Sequence, residues 1–205
     1  LDRSDNISDT STIFTSGETT GEKRLVDIAF DISTSCTGIC VLDSKTGELV
    51  KLTHKKLTKW KDEYEKADNF LSDWIESDWQ VRRVYIEEAA KKFTPGFSSA
   101  DTIMTLGRFN GILSYMVYQL FGVKPIMVNV RSARAKLGIK IDYKDKSIST
   151  KDKVFLIVRT LNPDFPWIMH EAKTGKFKGR MVYDKVNEDM CDSWVLCRAG
   201  MLLNP

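Results

Sequence analysis

The sequence predicts an α/β fold, a mixed five-stranded sheet with helices on both faces, and three observations carry that expectation. Apolar runs of strand length alternate with stretches of helical period in the order three strands, helix, strand, helix, strand, helices. With 205 residues and 42% hydrophobic content, the chain can bury one proper core. It has no apolar run of about 18 residues, so no membrane-spanning helix is expected.

Residues 1–24 are rich in Ser, Thr, Asp and Gly. Their five acids and three bases give a net charge of −2, which predicts a solvated polar tail. Nothing in it resembles a basic-then-apolar signal peptide. The chain opens on Leu1, as expected of a trimmed or processed N-terminus. The domain is expected over 25–205.

The first strand covers 25–31, ending on Asp31. The second, 37–42, leads into the turn Asp43-Ser44-Lys45-Thr46-Gly47. The third, 48–55, alternates Leu49, Lys51, Thr53 and Lys55 against Val50, Leu52 and His54. A helix over 59–79 places Tyr64, Ala67, Phe70, Leu71, Trp74 and Ile75 on one stripe. The fourth strand, 81–87, ends on Glu87, and the loop 91–97 follows.

The segment 98–121 reads as a long helix, apolar over much of its circumference. Gly107, Gly111 and Ser114 form a stripe of small residues on it. That stripe suits close approach either of a second copy of the chain or of the protein's own sheet. A fifth strand over 125–130 runs into a short basic helix, and another helix covers 149–161. Residues 163–186 read as an inserted hairpin with Lys173-Thr174-Gly175-Lys176 at its tip, and a helix over 187–203 closes the chain.

Charge is segregated along the chain. The segment 131–159 carries nine bases and three acids, net +6. The segment 59–78 has three lysines against seven acids, net −4. Overall charge is only +3, so any nucleic-acid footprint must be local, and 131–159 is the candidate. The four cysteines, Cys36, Cys40, Cys191 and Cys197, lack C-x-x-C spacing and are expected in the core. His54 and His170 are the two histidines, and neither is assigned a catalytic role.

The carboxylates carry the chemistry. Asp31 and Glu87 each end a strand, while Asp189 and Asp192 sit three apart at the start of the last helix, sharing one face. Gathered carboxylates repel, and a pair of divalent cations is the usual counter-charge. Two such ions about 4 Å apart serve in-line attack of water on a phosphodiester, which points to a nuclease. Bland alternatives exist. Asp31 can cap a turn, and Asp189 can merely complement the helix dipole. Strand alternation lets only one of Glu87 and Glu88 face the site.

Five motifs in order are similar to the RuvC group of the ribonuclease H-like superfamily, the Holliday-junction resolvases. Phe30-Asp31-Ile32-Ser33-Thr34-Ser35-Cys36-Thr37-Gly38 resembles the family's first-strand motif, an Asp, a small-residue turn and then Thr-Gly. Ile86-Glu87-Glu88 resembles the end of its fourth strand, and Leu106-Gly107 to Gly111 its Leu-Gly-x-x-x-Gly helix. Val158-Arg159-Thr160-Leu161 and the Asp189/Asp192 pair match its closing segments.

The resemblance implies a ribonuclease H-like fold and a Mg²⁺-dependent endonuclease, with two ions per site and Mn²⁺ as a substitute. Asp31, Glu87, Asp189 and Asp192 would be both metal ligands and catalytic residues. The product would be paired nicks with 5′-phosphates in four-way or related branched DNA, made by a homodimer. Lys136 and Lys151 align with basic residues of the family near the junction and the catalytic centre. With Arg131, Arg134 and Lys153 they form the expected DNA contacts.

Two departures stand out. The family's junction-wedging aromatic position is Ala90 here, which leaves Phe93 or Phe97 for that role. The 163–186 insertion has no counterpart in the compact bacterial enzymes. Such a chain suits a phage or other mobile element and a cytoplasmic location in a bacterial or infected cell, with an organelle or the nucleus as alternatives. Two other functions fit the same carboxylates less fully: a DNA-binding subunit that kept the fold and lost the chemistry, and an ATP-binding domain of the actin and sugar-kinase type.

Overall fold

The computed structural model of the chain describes residues 23–72, 79–88, 99–145 and 147–204. Nearly all of the expected tail, the candidate wedges Phe93 and Phe97, and the stripe residues Trp74 and Ile75 lie outside the described residues. Five strands form the main sheet: β1 (Arg24–Asp31), β2 (Cys36–Asp43), β3 (Leu49–Lys56), β4 (Trp79–Glu87) and β5 (Ile126–Val128). Their spatial order is β3-β2-β1-β4-β5. The β1–β2 and β2–β3 pairs are antiparallel, while β1–β4 and β4–β5 are parallel. The fold is therefore α/β with a mixed five-stranded sheet, as the order of elements predicts.

Strand alternation gives the sheet two apolar faces. Val26, Ile28 and Phe30 of the central strand β1 point to one face, with Ile39, Val41, Val84 and Ile86. The helices α1 (Glu63–Ser72) and α2 (Ala100–Phe121) cover that face through Ala67, Phe70, Phe109, Leu113 and Val117. The opposite face presents Ala29, Cys40, Leu42, Leu52, Tyr85 and Val128. It is covered by α3 (Val130–Lys136), α4 (Thr150–Leu161) and α5 (Val186–Leu203). Helix α5 touches all five strands and is buried nearly all round, as befits a helix lying between the sheet and other helices.

Four of the helices begin where a short polar side chain can take up free amides, α1 at Asp62 and three others. Ser99 accepts from the Thr102 amide, Asn129 from those of Arg131 and Ser132, and Ser149 forms a reciprocal capping box with Asp152. Gly122, at φ 67°, closes α2 in the left-handed region that favours glycine.

Three local expectations are corrected. Helix α1 starts at Glu63 rather than 59, because Asp62 caps it by accepting from the amides of Tyr64 and Glu65. Tyr64 is 71% exposed, which takes it off the buried stripe. The simple alternation of the third strand fails because the β2–β3 register slips between Val41 and Leu42. Leu49 and Leu52 consequently pack on the α5 side, whereas Val50 packs on the other.

Charge is buried at the far end of the sheet as well. Asp27 is fully buried on β1, where Nε and Nη2 of Arg82 and the Ser44 hydroxyl all donate to its carboxylate. An ionised carboxylate at such a position is tolerated only when paired in this way. No helix among the described residues is long and apolar enough to cross a membrane.

The segment before α5 is a hairpin of β6 (Met169–Glu171) and β7 (Met181–Tyr183), with a 3-10 turn over Gly175–Phe177. Its base is locked to the domain. Asn187 of α5 donates to the carbonyls of Ile168 and Asp184 and accepts from the Ile168 amide. Phe155 of α4 meets Trp167 and Tyr183 edge-on at 5.3 and 5.0 Å.

Candidate active site

The C-terminal ends of the parallel neighbours β1 and β4 place Asp31 and Glu87 side by side. Both residues follow the odd-numbered alternation of Ala29 and Tyr85, so both face α5. Glu87 lines the cleft there and Glu88 does not.

The turn after β1 is tied by Ser33, whose hydroxyl accepts from the Cys36 amide at 3.0 Å and donates to the Cys36 carbonyl at 2.7 Å. The buried Thr37 hydroxyl donates back to the Ser33 carbonyl. Gly38 follows directly beneath the backbone of Asp189 and Met190, with no room for a side chain. The small-residue turn and the Thr-Gly pair thus let α5 settle onto the sheet at the height of Asp31.

That seating brings Asp189 and Asp192 to the same point. Asp31, Glu87, Asp189 and Asp192 line one cleft of about 390 Å³ with Ile32, Ser33, Ser35, Val130, Arg134 and Lys151. Asp31 and Asp192 are 8% and 6% exposed. Burial, the charges of Asp192 and Glu87 and a hydrogen bond with Glu87 hold the Asp31 carboxyl well above its ordinary range. The cleft therefore has a shortage of positive charge around Asp31.

Two cations answer part of it. Nη2 of Arg134 donates to Oδ1 of Asp192 at 2.9 Å, and Nζ of Lys151 donates to Oδ1 of Asp189 at 2.8 Å. Burial pulls the Lys151 ammonium toward deprotonation, but the hydrogen bond and charge of Asp189, with the charges of Asp31 and Asp192, more than reverse this. Lys151 stays protonated. Among the described residues, Nε of Arg134 is buried without a hydrogen-bond partner.

Among the described residues, no group of three or more acids, histidines or cysteines is spaced to hold a metal ion. The donors in the cleft are nonetheless carboxylate oxygens, the kind a hard divalent cation takes. Asp31, Glu87, Asp189 and Asp192 are the residues that could hold one.

The residues expected to touch DNA separate into three kinds. Arg134 and Lys151 lie inside the cleft, paired with carboxylates. Arg131 and Lys136 stand exposed on α3 beside it. Lys153 binds the carbonyls of Asp142 and Asp145 and the Asp145 carboxylate, and so braces the loop ahead of α4.

The cysteine expectation needs one correction. Cys40, Cys191 and Cys197 are buried, but Cys36 is half-buried at the cleft rim. Burial and the neighbouring Asp189 push its thiol up to about 12, which keeps it protonated. The roles of Arg134 and Cys36 beside the carboxylates were not legible locally. Arg134 lies 58 residues from its partner. Adjacency to the Thr37-Gly38 turn was the one available hint for Cys36.

No protein-family model and no curated protein matches the sequence. Solved structures do match the fold. Thermus thermophilus RuvC in complex with a Holliday junction substrate aligns with a TM-score of 0.54 and 14% identity, over 85% of this chain and 91% of that one. A second Thermus thermophilus RuvC structure gives 0.52 and 14%, over 85% and 92%. The yeast mitochondrial Holliday junction resolvase Ydc2 gives 0.52 and 10%, over 87% and 78%. The chain has a RuvC-like fold of the ribonuclease H type.

Proposed function

We propose that the chain is a metal-dependent, structure-selective endonuclease that resolves four-way DNA junctions by paired nicks leaving 5′-phosphates. The observation that carries this reading is the convergence of Asp31, Glu87, Asp189 and Asp192 on one cleft. Its fold neighbours, whose names describe resolvases, support the choice of substrate.

In this reading the four carboxylates hold Mg²⁺, or Mn²⁺ in its place. Divalent cations bound there supply Lewis-acid activation of water and neutralisation of charge at the phosphate. The chain's own residues do the rest. Asp31 and Glu87, fixed on adjacent strand ends, orient the site. Lys151, half-exposed and kept protonated, offers its ammonium to the scissile phosphate. Arg134 holds Asp192 in place from the wall through Nη2. Cleavage assays on four-way, three-way and linear DNA with Mg²⁺ test the reading, and nicking confined to branched DNA is expected. Equal cleavage of all three would remove the structure selectivity.

Exposed cations on α3 would supply part of the phosphate affinity. Arg131→Ala with Lys136→Ala should weaken binding to any sequence and flatten its salt dependence by about one unit for each phosphate no longer neutralised. An unchanged slope, measured by anisotropy titration, would move the DNA off this surface.

Paired cuts require two sites related by a two-fold axis. The α2 stripe is the candidate for this, because a Cβ built on Gly107 or Gly111 meets nothing within 4 Å among the described residues. Met104 and Tyr115 beside it are 66% and 64% exposed. The same helix touches the site from within, since Asn110 donates to the Glu87 carbonyl and accepts from Ser114. Gly111→Leu should leave a folded monomer that nicks one strand without making paired cuts. A wild type that sediments as a monomer at micromolar concentration while still making paired cuts would contradict the dimer.

A second reading has a specific observation in its favour. Arg134 and Lys151 already neutralise two of the four acids. A DNA-binding subunit that had replaced its metals with cations would show the same pairs. Metal binding separates the two readings.

A further inference from the structure

We propose that the β6–β7 hairpin is a rigid second DNA contact, gripping the phosphate backbone of a duplex arm beside the cleft. The proposal rests on the nuclease reading and assigns a partner to an element which that reading leaves unused.

The hairpin carries Lys173, Lys176, Lys178 and Arg180, against the single acid Glu171 between Met169 and Tyr183. All four cations are exposed. Phe177 in the 3-10 turn is 48% exposed, with the Lys176 ammonium 5.2 Å from its ring centroid. Met181 is 59% exposed on β7. Cations interleaved with exposed apolar groups match the two parts of a nucleic-acid strand, its phosphates and its sugars and bases.

An isolated two-stranded hairpin is marginal in water, so the anchoring here is informative. Tyr183 at the end of β7 packs on Phe155, and the Arg159 guanidinium lies 5.0 Å from the Tyr183 ring centroid. Asn187 clamps both strand ends to the first turn of α5. Within the hairpin, Ala172 and Arg180 are joined by a backbone hydrogen bond, and the Gly179 amide donates to the Ala172 carbonyl. The backbone that carries the four cations is thus anchored, which lowers the ordering cost of binding.

The hairpin base lies near the cleft. A groove of about 410 Å³ at the hairpin base includes Asp152, Arg159, Tyr183, Lys185 and Glu188 in its lining. Lys151 and Asp189, the chain neighbours of Asp152 and Glu188, line the cleft itself. Groove and cleft thus border the same two helices, α4 and α5.

The test uses the full chain, a synthetic four-way junction and no divalent metal, with binding followed by anisotropy across a salt series. The variant combining Lys173→Ala, Lys176→Ala, Lys178→Ala and Arg180→Ala should flatten the log–log salt slope by about two to four units. It should also bind about tenfold or more weakly near 0.1 M salt. The control Lys59→Ala with Lys61→Ala, before α1 on the other face of the sheet, should leave the slope unchanged. The single tip variant Lys176→Glu should shift the slope in the same direction, and it decides the matter if the fourfold variant does not fold. Unchanged slopes in the hairpin variants, with wild-type binding intact, overturn this proposal alone and point to a protein partner. Absence of salt-dependent junction binding by the wild type overturns the nuclease reading and the hairpin contact together.

Discussion

Asp31→Asn should lower junction cleavage by about a thousandfold or more while raising the stability of the metal-free protein at neutral pH. The two effects have one cause. The folded state raises the Asp31 pKa through burial, the charges of Asp192 and Glu87 and the hydrogen bond with Glu87. A raised carboxyl pKa means that folding favours the protonated form. Stability from this group is full below the unfolded pKa and declines as pH rises toward the folded value. At neutral pH this acid therefore costs the metal-free fold stability. Asn keeps the shape and removes the charge, so the thermal midpoint should rise on the order of a few degrees. Nicking should vanish in the same variant, because a negative ligand is gone. Glu87→Gln and Asp192→Asn should also abolish nicking, and all three should still bind junctions. Full activity in Glu87→Gln would move that role to Glu88. Thermal melts at pH 5 and pH 7 beside cleavage assays check both halves of the expectation. A variant less stable than wild type at pH 7 would show that Asp31 serves the fold instead.

Gly38→Ala should destabilise the protein by about 2–3 kcal/mol and abolish cleavage. A methyl group on Gly38 would overlap the Asp189 carbonyl group, and a backbone group inside a helix cannot turn aside as a side chain can. Relief requires α5 to lift from β2. That movement carries Asp189 and Asp192 away from Asp31 and strains the packing of Met190, Cys191 and Trp194 beneath the helix. Chemical denaturation and cleavage of the same preparation measure the two consequences. An active, fully stable Gly38→Ala would show that α5 is not seated by this contact. Gly200 makes a similar approach to the Tyr85 ring, so the helix is held close at both ends.

Much of the site was legible because its signals are local. An apolar run ending in an acid predicts a strand that delivers a carboxylate at its edge, and both Asp31 and Glu87 sit at such ends. The turn of small residues and the Thr37-Gly38 pair have a local cause in the Ser33 hydrogen bonds and the overlying helix. Periodicity also pointed to the five-stranded sheet and the helices on both faces.

What stayed hidden depends on partners distant in sequence. Arg134 reads as one base among nine, yet it folds against Asp192. Lys153 looks equally free but is absorbed by the Asp142–Asp145 loop. Asp27 and Arg82 pair across 55 residues, and nothing near either announces it. The register slip at β3 erased a clean alternation because register is set by the neighbouring strand. Tyr64 kept the helical spacing of a core residue but points to water, since the buried stripe of α1 is confined to Ala67, Phe70 and Leu71.

Whether Asp31, Glu87, Asp189 and Asp192 together make a divalent metal centre is decided most directly by titrating the DNA-free protein with Mg²⁺ or Mn²⁺, followed by calorimetry and by thermal midpoint. Saturable binding that raises the wild-type midpoint is expected, with both signals absent in Asp31→Asn and in Asp192→Asn. A wild type that binds neither cation, its acids satisfied by Arg134 and Lys151, would contradict the metal centre and favour a DNA-binding subunit without the chemistry.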